Sequence, residues 1–136
     1  MKLQPARCES GWMVRVSRIE RETLRFILGA SRSTHPREFA GVLRAVGDVI
    51  KEVLVLPGTL SSGESAVLRL HMLPIDPSAC GTVHSHPSAS TIPSGGDLAL
   101  FAKFGHVHMI VAFPYDKDSW KAYNHLGEEI TLEVVG

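Results

Sequence analysis

The fifteen residues VHSHPSASTIPSGGD, from Val83 to Asp97, constrain the fold more than any other stretch of the chain. Val83 to His86 close a strand-like segment, "CGTVHSH", and the Pro, Ser, Gly and Thr that follow form a loop up to the aspartate. After it, "LALFAKF" suits a short helix, Gly105 a break, and "VHMIVAF" a buried strand. Strand, loop, helix and strand in that order predict an α/β chain with a mixed sheet.

The same stretch carries chemistry. Side chains of a strand alternate between faces, so His84 and His86 point the same way about 7 Å apart. Two imidazoles on one face can grip one metal ion, and a catalytic zinc site takes three protein ligands with the fourth position left to water. Asp97 is the candidate third ligand, since the loop can fold it back toward the histidines. Ser94 and Asp97 also match the [ST]-x-x-[DE] capping box, which needs no metal, and on that pair alone the cap is the simpler reading.

The remaining residues of ligand type have plainer readings. His106 and His108 repeat the H-x-H pattern, but Val107, Met109 and Val111 are the expected buried face there and the histidines the opposite one. His35, His71 and His125 stand without an evident partner. Cys8 and Cys80 are too few for a disulfide framework and lack C-x-x-C spacing, although Cys80 and Thr82 share the expected face of His84 and His86. Glu38, in "PREFAGVL", opens an otherwise apolar strand, where a carboxylate is costly to bury without a partner; an exposed strand end is the alternative.

Elsewhere, "SRIE" at Ser17 to Glu20 has the form of a capping box and predicts a helix from Arg18 to about Ala30, with Ile19, Phe26, Ile27 and Ala30 inward. "EFAGVLRAV" and "VIKEVLVL" around Gly47 and Asp48 predict a hairpin, "PGTLSSGES" a loop, "AVLRLHML" a strand, and "SWKAYN" with "EITLEVV" a closing pair. The total is about six strands and at least two helices. A length of 136 residues, 44% of them hydrophobic, suits one domain spanning residues 1–136. Fourteen basic residues balance fourteen acidic ones without long runs of either sign, which disfavours a nucleic-acid partner. With no apolar run of membrane-spanning length and no signal-like h-region, no membrane association and a cytoplasmic location are expected.

Together, Glu38, His84-Ser85-His86, seven residues from Pro87 to Pro93, Ser94 and Asp97 resemble the JAMM motif of the MPN-domain zinc metalloproteases. Pro36, Glu38 and Gly41 fill the P-x-E-x-x-G surround common in that family, and Pro87 follows the second histidine as it often does there. The resemblance implies a single MPN domain of cytidine-deaminase-like architecture, with a mixed sheet flanked by helices. It implies one zinc per chain on His84, His86 and Asp97, with Glu38 as general acid/base and Ser94 assisting oxyanion stabilisation. Ser85, on the opposite face of its strand, takes a structural role.

The implied activity is that of a stand-alone prokaryotic, archaeal, desampylase-like isopeptidase. Its substrates would be conjugates of a ubiquitin-like modifier, cut after the modifier's C-terminal Gly-Gly tail. Two alternatives stay open: a peptidase processing a ThiS-like sulfur-carrier protein, and a non-catalytic zinc-stabilised interaction module. Barrel amidohydrolases need longer chains, and metallo-β-lactamase-like sites want Asp where this chain has Ser88. The modifier, its linkage and the oligomeric state are not specified by these residues.

Overall fold

A computed structural model describes residues 15–56, 66–74 and 77–136. The elements in chain order are β1 (Arg18–Glu20), α1 (Arg21–Thr34), β2 (Ala40–Val46), β3 (Val49–Val55), α2 (Ala66–His71) and β4 (Gly81–His86). They continue with α3 (Gly95–Lys103), β5 (Val107–Ala112), β6 (Trp120–Tyr123), β7 (Glu129–Ile130) and β8 (Glu133–Val135). All the strands join one sheet in the order β7-β6-β5-β4-β2-β3-β1-β8. The α/β mixed sheet is borne out, with eight strands among the described residues where about six were expected.

Burial on both faces organises the sheet. On one face Leu24, Ile27 and Leu28 of α1 pack with Leu43, Ile50, Val83, Met109 and Val111. On the other, Ala66 and Leu70 of α2 and Leu100 and Phe101 of α3 pack with Ala40, Val42, Ile110 and Tyr123. β4 and β5 run parallel in the middle, joined by the loop and α3, so neither has a solvent face; β5 is buried throughout, and β4 buries Val83 toward α1 and Thr82 and His84 toward α3. β2 lies antiparallel to β4 with Ala40 opposite His84, which brings the segment around Glu38 beside the histidine strand. Gly41 is required where β2 and β3 close: a Cβ there would sit 2.7 Å from Val53 Cγ1 and 3.1 Å from the Leu54 carbonyl oxygen.

Four expectations change. Arg18–Glu20 is a strand, because Ile19 is fully buried between parallel partners in β3 and β8. The helix starts only at Arg21, Glu20 makes no side-chain cap, and Phe26 points outward at 51% exposure while Leu24 and Leu28 turn inward. "AVLRLHML" contains the helix α2, whose buried Ala66 and Leu70 are one turn apart. Short apolar runs rich in Ala, Leu and Arg favour helix when one face alone is covered. The closing segment "EITLEVV" splits, β7 pairing with β6 and β8 crossing to β1 at the far edge. The hairpin of β2 and β3 forms as expected around Gly47, whose φ of 61° is the left-handed conformation its turn needs. The expected loop "PGTLSSGES" lies outside the described residues.

Candidate metal centre

β4 delivers two histidines to the face covered by α2 and α3, and α3 delivers the carboxylate. His84 Nε2 lies 3.2 Å from His86 Nε2 and 3.2 Å from Asp97 Oδ1, and His86 Nε2 lies 3.2 Å from Asp97 Oδ2. Among the described residues this is the group of three or more ligand-type side chains close enough to share an ion. Zinc bonds to nitrogen and oxygen are roughly 2.0–2.2 Å, for which the edges of a tetrahedron are about 3.3 Å, close to the spacing of these three side chains.

The hydrogen bonds around the triangle fit a cation at its centre. His86 Nδ1 lies 2.9 Å from the Ser90 carbonyl oxygen, which can only accept, so Nδ1 carries a proton. A neutral His86 then turns a lone pair on Nε2 toward the Asp97 carboxylate, and two acceptors at that distance need a positive charge between them. Either a proton or a metal ion meets the need. The Asp97 hydrogen bond raises the His86 pKa above its ordinary value against the effect of burial. Burial raises the Asp97 carboxyl, but the hydrogen bonds from His84 and His86 outweigh it and hold the group well below the usual carboxylate range. His84 Nδ1 is buried without a partner among the described residues.

Asp97 divides its two oxygens. Oδ2 accepts from the Ser94 backbone N–H at 2.9 Å, while the Asp97 N–H donates to Ser94 Oγ at 3.1 Å, a complete capping box. Oδ1 is outside the cap and faces His84. The cap and the ligand geometry therefore coexist in one side chain. The Ser94 hydroxyl accepts from Asp97 and still has its own proton to donate.

Glu38 stands two residues before β2, half-buried, with Oε1 accepting from the Ala66 N–H at 2.8 Å. Arg69 in the same helix donates to the Glu38 carbonyl oxygen at 3.0 Å. The Glu38 charge reaches the site, contributing to the raised pKa of His86. Ser85, facing away from the histidines, exchanges two bonds with Phe39: its Oγ accepts the Phe39 N–H at 2.8 Å and its N–H donates to the Phe39 carbonyl at 2.9 Å. The strand bearing the histidines is thus tied to the residue after Glu38.

Other ligand-type residues lie apart from this triangle. His106 precedes β5 and is exposed, with its ring edge-on to His125 at 5.7 Å. His108 lies on the face opposite Val107, Met109 and Val111, as expected, and is fully buried there because β5 has no solvent face once α3 covers it. It is stacked on Phe101 at 4.5 Å with Nδ1 2.7 Å from Thr82 Oγ1, and burial pushes its pKa down to about 3. Cys80, just before β4, is buried in the α1-side core, away from the face of the histidines. His35 has a partner after all, the Tyr115 hydroxyl, 2.8 Å from Nδ1. That contact spans the chain with no spacing signal, and nothing in the sequence patterns marks it.

Residues 20–123 match the family Prok-JAB, prokaryotic homologs of the JAB domain. A "probable metalloprotease" of Haloferax volcanii is 39% identical over 127 residues, covering 86% of this chain and 78% of that protein. A JAB1/MPN domain protein from Archaeoglobus fulgidus is 46% identical with a TM-score of 0.71, covering 88% of this chain and 99% of that one. A structure described as JAMM, a metalloprotease-like zinc site in the proteasome and signalosome, is 43% identical with a TM-score of 0.71, covering 89% and 99%. The sheet, the His-His-Asp triangle and these matches agree, and the chain belongs to the prokaryotic homologues of the JAB domain, the JAMM metalloprotease family.

Proposed function

We propose that this chain is a zinc-dependent isopeptidase that releases ubiquitin-like small modifier proteins from conjugates by cutting after their C-terminal Gly-Gly tail. The observation that carries the reading is the His84, His86 and Asp97 triangle, with Glu38 held beside it by β2 and α2. His84, His86 and Asp97 hold one zinc. Zinc there supplies Lewis acidity, which lowers the pKa of water to about 7 and polarises a carbonyl.

The chain's own residues supply the rest. Glu38 Oε1 is fixed by the Ala66 N–H, which leaves Oε2 to take the proton from the attacking water. As the carbon–nitrogen bond breaks, the same carboxyl returns that proton to the departing amine. The Ser94 hydroxyl, anchored by the Asp97 N–H, donates to the oxyanion that develops on the scissile carbonyl. The reading extends to the whole of residues 1–136 as one such domain acting in the cytoplasm. Among the described residues no helix is long and apolar enough to cross a membrane.

Incubation of zinc-loaded protein with a lysine-linked modifier conjugate, and separately with a linear sulfur-carrier fusion, tests the proposal. Faster release from the lysine-linked conjugate supports it. Cleavage of the linear fusion alone would assign carrier processing instead, and cleavage of neither would leave a zinc-stabilised binding module.

A further inference from the structure

Tyr115 belongs to none of the motifs above, yet it is held from several sides beside the metal centre. It is 1% exposed and has a φ of 65°, the left-handed conformation that a non-glycine residue keeps only where its surroundings fix it. Its N–H donates to the Ala112 carbonyl at 2.8 Å, and the Arg32 guanidinium of α1 donates to the Tyr115 carbonyl oxygen. The rings of His35 and Phe113 meet its ring edge-on at 5.5 and 5.8 Å.

The hydroxyl at the end of this ring has two partners. It lies 3.1 Å from the His86 carbonyl oxygen and 2.8 Å from His35 Nδ1. A phenol has one proton, and a carbonyl only accepts, so the proton goes to His86 and the oxygen accepts from His35 Nδ1–H. His86 is the last residue of β4, and His35 caps α1 three residues before Glu38. The hydroxyl therefore joins the end of the histidine strand to the turn leading into Glu38. Ser85 and Phe39 make a second, independent tie between the same two segments.

We propose that Tyr115 is a positioning residue of the metal centre, fixing the His86 backbone so that Nε2 meets His84 and Asp97 at bonding distance from a shared ion. The inference rests on His86 as a zinc ligand. Hydrogen-bond partners one step removed from a ligand typically cost about 10- to 100-fold in metal affinity or activity when removed.

The test is zinc affinity by competition with a chromogenic chelator, which does not depend on any substrate. Tyr115→Phe keeps the ring contacts and deletes the hydroxyl. Thr23→Val serves as control, deleting a buried hydroxyl that donates to the Lys51 carbonyl between α1 and β3. Tyr115→Phe is expected to bind zinc about 10- to 100-fold more weakly, with Thr23→Val like wild type. Unchanged affinity in Tyr115→Phe, or equal weakening in Thr23→Val, would overturn the inference. Should Tyr115→Phe not fold, His35→Ala leaves the bond to His86 but releases the hydroxyl from the segment before Glu38, and it is expected to weaken zinc binding in the same direction; unchanged affinity there would overturn the inference. Wild-type protein that took up no zinc would overturn the ligand reading and this inference with it.

Discussion

Ser94 and Asp97 hold each other by reciprocal backbone-to-side-chain hydrogen bonds of 3.1 and 2.9 Å, and the Asp97 oxygen left outside that exchange faces His84. One residue thus caps the start of α3 and completes the triangle with His84 and His86, and the two arrangements can be separated. Asp97→Asn keeps an oxygen that can accept from the Ser94 N–H but loses the negative charge between the histidines, whereas Asp97→Ala loses both. Both variants are expected to lose zinc. Asp97→Ala should be less stable than Asp97→Asn by about 0.5–2 kcal/mol, the usual range for a lost cap. Metal analysis and denaturant unfolding of the metal-free variants check this; equal stabilities would mean that the cap does not contribute.

Ser85→Ala is expected to leave zinc binding intact while slowing catalysis. Its hydroxyl faces away from the ligands and accepts the buried Phe39 N–H, which the variant leaves unsatisfied at a cost of about 1–3 kcal/mol. Glu38, one residue earlier, would then be held less firmly, and a misplacement near 1 Å can cost about 100-fold in rate. Parallel measurement of zinc content, unfolding free energy and kcat distinguishes this from simple loss of the site.

Although the family motif, not the residues alone, joined Asp97 to the histidines, two short-range rules were legible: alternation along a strand, which puts His84 and His86 on one face, and the three-residue reach of a capping box, which links Ser94 to Asp97. Neither depends on the rest of the fold. The same alternation rule put His108 opposite Val107, Met109 and Val111, as found, but the rule gives two faces and not which of them a helix will cover; α3 and Phe101 bury the second one. "AVLRLHML" is apolar enough for either a strand or a helix, and only the one-sided packing of Ala66 and Leu70 separates them. Ser17–Glu20 carried a correct-looking capping box, but burial of Ile19 between β3 and β8 outweighs a cap worth at most two hydrogen bonds. The tie from Tyr115 to His35 joins residues 80 apart, beyond any local pattern.

Burial pushes the His108 pKa down from 6.5 to about 3, which makes stability depend on pH. Between those values the unfolded chain binds a proton that the folded chain refuses, so stability falls as pH falls. The contribution is fully present above about 6.5 and is lost progressively toward about 3. His108→Phe, which retains stacking on Phe101 and cannot titrate, should show a flatter melting temperature across that window than wild type. Thermal unfolding of both proteins without metal over the same pH series checks it, and parallel curves would count against the burial effect.

The most direct test of the whole account compares zinc-loaded wild type with Glu38→Gln on one lysine-linked conjugate of a small ubiquitin-like modifier, with zinc measured in the same samples. Glutamine can still accept the Ala66 N–H but cannot take a proton from water. Equal zinc, about one per chain, with release slowed by at least about 100-fold in Glu38→Gln is the predicted result. Release at the wild-type rate by Glu38→Gln, or none by zinc-loaded wild type, would contradict the assignment of Glu38 as the proton carrier of a zinc isopeptidase.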